Sequence, residues 1–126
     1  MEDVVTAIDR RFWAGRRVLL TGHTGFKGAW MVMLLHRLGA KVAGYSLPIP
    51  VSTPDLFGAA RLAEICDDRR GDIRDLAALR AVLTAFQPEI LLHMAAQPIV
   101  REAIRSPLET FDVNVMGVAK VLEAAR

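Results

Sequence analysis

Cysteine occurs once in this chain, as Cys66, and tyrosine once, as Tyr45. A single thiol excludes a disulfide framework and a cysteine-built metal site. With Glu2 and Asp3 in place of a basic leader, it also predicts a reducing, cytoplasmic setting. No apolar run approaches the ~20 residues that a bilayer span needs, so no membrane partner is expected. Charge of one sign is scarce as well: the net charge is +2, and Arg10-Arg11, Arg16-Arg17 and Arg69-Arg70 are short, scattered pairs. They read as solvated faces, and without interleaved aromatics they give no support to a nucleic-acid surface. His23, His36 and His93 have no partners at ligand spacing, so no metal site is predicted.

What is present is a globular composition, 52% apolar and 24% charged over 126 residues, enough for one domain with its own core. Val4, Val5, Ile8 and Phe12 recur at helical spacing and predict an amphipathic helix over residues 2–13 that packs as an N-terminal flap. Strands are expected at Arg17–Thr21, Lys41–Ser46, Asp67–Arg70 and Glu89–His93. Between them the chain reads as helix over Ala29–Leu38, with Trp30, Met33, Leu34 and Leu38 on one face and Gly39 as the stop. A short helix follows over 56–63, capped by Asp55, and another carries Leu76, Leu79, Val82, Leu83 and Phe86 up to Pro88. After a loop over Ala95–Pro98 come a short helix at 99–105 and a long one from Pro107, capped by Ser106. Strands alternating with helices predict an α/β, doubly wound parallel sheet of Rossmann type, in strand order 3-2-1-4.

Thr21-Gly22-His23-Thr24-Gly25-Phe26-Lys27-Gly28 stands where the first strand turns into a helix. A diphosphate is doubly anionic and needs bare amides at a helix N-terminus. In that reading Gly22 makes the tight turn, Gly25 admits the ligand and Gly28 lets the helix pack on the sheet. It is not a P-loop, since no Gly-Lys-Ser/Thr closes it; Lys27 reads as surface, within reach of a phosphate.

The end of the second strand, where an acid would bind a ribose 2′-hydroxyl and an arginine a 2′-phosphate, offers neither; Ser46 is the candidate ribose contact. After the third strand, Asp72 either accepts from an adenine amino group, with Ile73 against the ring, or caps the following helix; Asp75 reads as a cap only. Ala95, Ala96 and Gln97 lie at the carboxyl edge of the fourth strand, where small residues leave room for the nicotinamide-side ribose. His93 reads as a satisfied core histidine, and Arg101 and Arg105 as exposed cations within reach of a substrate phosphate. Asn114, set among apolar residues in a helix, either ties that helix to the fourth strand or holds a water beside a catalytic lysine.

Four segments occur in order: Thr21–Gly28, Gly71-Asp-Ile-Arg-Asp75, His93-Met-Ala-Ala-Gln-Pro98 and Asn114-Val-Met-Gly117. Together they resemble the extended short-chain dehydrogenase/reductases. The Phe12-Trp13 start, the Gly-His-Thr-Gly-Phe-Lys-Gly loop and Met-Ala-Ala-Gln-Pro resemble the CDP-glucose 4,6-dehydratase family within them.

The resemblance implies that residues 1–126 form the N-terminal part of an NAD-binding Rossmann domain, with the substrate domain absent. It implies loss of water across C5–C6 of a nucleotide-linked glucose after oxidation at C4, and a homodimer for the complete enzyme. It places the diphosphate on Gly22, Gly25 and Gly28, with Thr24, Phe26 and Lys27 beside it. Adenine then falls on Asp72 and the nicotinamide half on Ala95 and Gln97. No catalytic residue carries over: the family's Tyr-x-x-x-Lys pair has no counterpart, because Ile49 stands four places after Tyr45. The expectation is an inactive, association-prone fragment whose fourth strand has an open edge. The competing expectations are an epimerase or reductase of the same superfamily and a non-catalytic NAD-binding module.

Overall fold

The computed structural model describes residues 8–50 and 53–126. Its centre is a four-stranded parallel sheet in the order β3-β2-β1-β4, formed by β1 (Arg17–Thr21), β2 (Lys41–Ser46), β3 (Asp67–Arg70) and β4 (Ile90–His93). β1 pairs in register with β2 from Arg17↔Lys41 to Thr21↔Tyr45, and with β4 from Val18↔Ile90 to Thr21↔His93. Apart from their first residues, β1 and β2 are buried throughout, as strands covered on both faces must be. β3 is charged and lies at one edge, with Arg69 paired to Asp67 and Arg70 to Asp68.

Alternation along β1 divides the core in two. Val18 and Leu20 face Ala29, Val32 and Leu35 of α2 (Phe26–Arg37) and Phe57 of α3 (Leu56–Ala59). Leu19 faces the other way, toward Leu79 and Val82 of α4 (Leu76–Phe86) and Val121 of α7 (Gly117–Ala125). Helices on both faces make the sheet doubly wound, as expected.

Several boundaries differ from the expectation, each for a local reason. The N-terminal helix is described only over Arg10–Trp13 (α1), capped by Asp9; Val4 and Val5 lie outside the described residues. Ile8 and Phe12 are exposed, and among the described residues of this segment Trp13 packs against the core. α2 begins at Phe26, so the glycine loop runs directly into its first turn.

The buried face of α2 is Gly28, Ala29, Val32 and Leu35, whereas Trp30 and Leu34 are 55% and 40% exposed. The helix starts so close to the loop that only small residues fit beneath it: a Cβ on Gly28 would collide with the Gly22 carbonyl. That fixes the rotation of α2 and turns its larger side chains outward. The helix expected over 56–63 splits at Arg61, which adopts φ +53°, into α3 and a 3-10 turn, Leu62–Glu64. Asp55 does cap α3, accepting from Gly58 N at 2.6 Å.

Asp75 caps α4 by accepting from Ala78 N at 3.0 Å. Beyond β4 come α5 (Val100–Arg105), α6 (Pro107–Phe111), a π-helical turn (Asp112–Met116) and α7. The Ser106 side chain makes no cap; its carbonyl instead accepts from the amide and the hydroxyl of Thr110. Gly117 lies where this helical run crosses Ile73, whose Cδ1 is 2.6 Å from where a Cβ would stand, so a larger residue there would have to displace the end of the Ile73 side chain.

Candidate functional site

A cleft of about 660 Å³ opens at the carboxyl ends of the strands. One wall is the loop between β1 and α2, from Gly22 through Thr24, Gly25, Phe26, Lys27 and Gly28. Ser46 at the end of β2 and Asp72 with Ile73 after β3 form the second wall, and Met94, Ala95 and Ala96 after β4 the third.

Each loop glycine has its own cause. Gly22 adopts φ +75°, and a Cβ there would lie 2.6 Å from Ala95 N, so the turn and the approach of the post-β4 loop both demand glycine. Gly28 packs on Gly22, as described. Gly25 differs: its backbone is extended at φ −68°, and a Cβ would meet only the Gly22 carbonyl at an ordinary 3.5 Å. The fold itself does not require glycine at 25, and the space its missing side chain leaves opens into the cleft. Gly25 is also the N-cap of α2 and supplies no side-chain acceptor, so the first-turn amides point toward the cleft without a side-chain cap.

The Ser46 hydroxyl is committed within the protein. It lies 2.9 Å from His23 Nδ1, and His23 Nε2 lies 2.8 Å from Asp68 Oδ1. The His23 ring is wholly buried, edge-on to Phe57 at 5.0 Å, and rests on the bare backbone of Gly44. Burial pushes its pKa below the usual histidine range, against the opposing pull of Asp68. Burial likewise pushes the Asp68 carboxyl up, but the Arg70 guanidinium and the His23 ring outweigh it and hold the carboxyl below the ordinary range. This chain of contacts joins residues 45 apart, and the sign of it in the sequence is Gly44, an isolated glycine inside a strand.

Asp72 borders the cleft with its carboxylate gripped by Arg74 Nε and Nη2 at 2.7–3.1 Å. Its Oδ1 also accepts from the Arg74 amide at 2.8 Å. The Arg74 hydrogen bonds hold this carboxyl below the ordinary range. Arg74 reaches on to Asp112 at 3.3 Å, which connects this wall of the cleft to the π turn. Tyr45 is buried, and its hydroxyl donates to the Asp72 carbonyl at 3.1 Å.

Gln97 does not line the cleft. Its amide nitrogen donates to Thr110 Oγ1 and the Ile99 carbonyl, and its Oε1 accepts from Ile99 N at 2.7 Å. Asn114 ties its helix to the loop after β4 and not to the strand itself: Oδ1 accepts from Gln97 N at 2.8 Å and Nδ2 donates to the Gln97 carbonyl at 3.0 Å. The π turn carries this amide. Arg105 pairs with Glu102 on α5. No helix of the described residues is long and apolar enough to cross a membrane, and among them no cluster of metal-ligating side chains occurs.

The chain is similar to proteins of known family and known structure. Residues 19–126 match the family described as GDP-mannose 4,6 dehydratase. The chain is 48% identical over 119 residues to CDP-glucose 4,6-dehydratase of Salmonella typhimurium, covering 94% of this chain and 33% of that protein. It is 33% identical over 110 residues to UDP-glucose 4-epimerase of Mycolicibacterium smegmatis, covering 87% and 34%.

Among solved structures, UDP-glucose 4-epimerase of Brucella ovis in complex with NAD superposes with a TM-score of 0.74 at 28% identity, over 88% of this chain and 32% of that one. UDP-glucose 4-epimerase of Thermotoga maritima with UDP-glucose gives 0.75 at 25%, over 86% and 33%. The chain thus spans about a third of the length of these relatives. The glycine loop, the 3-2-1-4 sheet and the match over residues 19–126 together place this chain in the GDP-mannose 4,6-dehydratase family.

Proposed function

We propose that the cleft holds NAD, and that the chain is the front part of a nucleotide-sugar 4,6-dehydratase acting on CDP-glucose. The observation that carries this is Gly25, a cleft-lining position at the start of α2 where the fold does not require glycine and where an added side chain would stand in the space the ligand takes. The first-turn amides of α2 receive the diphosphate there, in the partial positive field of the helix end. Ile73 lies against the adenine and Asp72 accepts from its amino group. Ala95 and Ala96 leave room for the ribose on the nicotinamide side, and Gln97 acts by bracing the loop that carries them. Bound in this way, NAD supplies a hydride acceptor for C4 of the sugar. The substrate class follows the dehydratase relative, whose identity exceeds that of the epimerases.

None of these 126 residues supplies the phenol–lysine pair that deprotonates a sugar hydroxyl: Tyr45 is buried and bonded to the Asp72 carbonyl. The chain alone is therefore inactive on CDP-glucose, and the protein that carries the missing residues pairs as a homodimer. The exposed Leu108 and Phe111 of α6 are candidates for that interface.

Calorimetric titration of NAD+ into the chain tests the cofactor reading. Saturable binding is expected, weakened at least about tenfold by Gly25→Val with the melting temperature held within a few degrees. Unchanged affinity in that variant would refute the placement. A 4-keto-6-deoxy product formed from CDP-glucose by this chain would refute its inactivity.

A further inference from the structure

We propose that Ser46 meets the cleft only as a hydrogen-bond acceptor, because His23 and Asp68 fix the direction of its proton. The end of β2 then reads a ribose 2′-hydroxyl and turns away a 2′-phosphate. This inference rests on the dinucleotide reading of the cleft and sharpens it. Neither an acid nor an arginine stands at the end of β2, so the usual means of choosing between the two cofactors is missing.

The proton assignments follow from the partners. A carboxylate can only accept, so His23 Nε2, 2.8 Å from Asp68 Oδ1, carries a proton. The ring is wholly buried against Phe57 and the Gly44 backbone, which disfavours a second proton on it. A neutral ring protonated at Nε2 has an acceptor at Nδ1. Ser46 Oγ, 2.9 Å away, therefore donates to it. Only oxygen lone pairs of Ser46 remain for the cleft that it borders. A ribose hydroxyl can donate to them, whereas an ionised phosphate meets them lone pair to lone pair.

The cation beside Ser46 reinforces the choice. Arg70 is its register partner on β3, and its guanidinium is spent on Asp68 Oδ2 at 2.8 Å and the Leu47 carbonyl at 3.3 Å. Its charge is offset by Asp68 before any phosphate arrives. In this scheme His23 is a positioning residue that acts through Ser46.

Two measurements decide the matter. Nitrogen-15 NMR of the labelled chain at neutral pH reads the His23 tautomer directly. The neutral Nε2–H form is expected; an Nδ1–H form or an imidazolium overturns the proposal. Titrations of NAD+, 2′-deoxy-NAD+ and NADP+ then read the consequence. The unmodified chain should bind NAD+ about fivefold tighter than the 2′-deoxy analogue, the value of one hydrogen bond. It should bind NAD+ roughly tenfold or more tighter than NADP+, the larger effect expected of a charged group. In Ser46→Ala the preference over the deoxy analogue should vanish. Equal binding of NAD+ and 2′-deoxy-NAD+ by the unmodified chain, a preference that survives Ser46→Ala, or NADP+ bound as tightly as NAD+ overturns the Ser46 assignment alone. No binding of NAD+ at all overturns the dinucleotide reading with it.

Discussion

The Thr21 hydroxyl stands 2.6 Å from His93 Nδ1, and the same oxygen accepts from the backbone amides of Met94 and Ala95 at 3.1 and 3.2 Å. Two amides fill its lone pairs, so the hydroxyl proton goes to the ring, and one side chain at the end of β1 sets the path of the loop after β4.

Replacing Thr21 with valine keeps the shape and removes the acceptor. Met94 retains the Thr21 carbonyl, but Ala95 N–H is left without a partner. The expected loss is about 1–3 kcal/mol of stability, visible as a lower urea midpoint, with Thr21→Ser recovering most of it. Equal midpoints for the valine and serine variants would contradict this.

Gly25 and Gly28 should respond oppositely. Gly28→Ala drives a methyl group into the Gly22 carbonyl and should destabilise the chain by more than about 2 kcal/mol. Gly25→Ser fills open space and adds a capping hydroxyl, so stability should rise by a few tenths of a kcal/mol while NAD+ affinity falls. Melting curves and titrations of the two variants check the contrast, and a Gly25→Ser protein that melts lower than the parent would count against it.

Asn114 uses a donor and an acceptor on one backbone unit, that of Gln97. Asn114→Asp keeps the acceptor and sets a second one against the Gln97 carbonyl. The expected cost is about 1–3 kcal/mol at neutral pH, partly recovered when the new carboxyl is protonated. Urea denaturation at pH 7 and pH 4, each against the parent chain, measures it; a variant as stable as the parent at pH 7 would show that the tie carries no weight.

Burial lowers the pKa of both His23 and His93 from the ordinary 6.5. Below that value the unfolded chain binds more protons than the folded one, so stability rises with pH. The full contribution is present above about pH 6.5 and is lost as pH falls from there toward the folded values. The urea midpoint should therefore drop between pH 8 and pH 5.5, and a flat or rising profile over that interval would show that neither ring is held neutral.

The order of elements and the sheet topology were legible because alternating apolar runs and helical spacing report burial directly, and β1 and β2 are buried on both faces. The glycine loop was legible because turn, close approach and helix start each leave a glycine at a fixed place. The packing face of α2 was not: apolar periodicity favours Trp30 and Leu34, while the sheet selects Gly28 and Ala29 for their small size. The partners of Ser46, Gln97 and Asn114 were not legible either, since each depends on groups brought close only by the folded chain. Periodicity does not distinguish the π turn from the α-helix that continues on either side of it.

The imidazole lying over Gly44 makes positions 23 and 44 a single inherited unit. A methyl group at 44 would occupy the volume of the ring, so a descendant of this chain can enlarge 44 only after shrinking 23, and would surrender the polar link to Asp68 in the same step. The two sites should change together or not at all, and the order of substitution is set by volume.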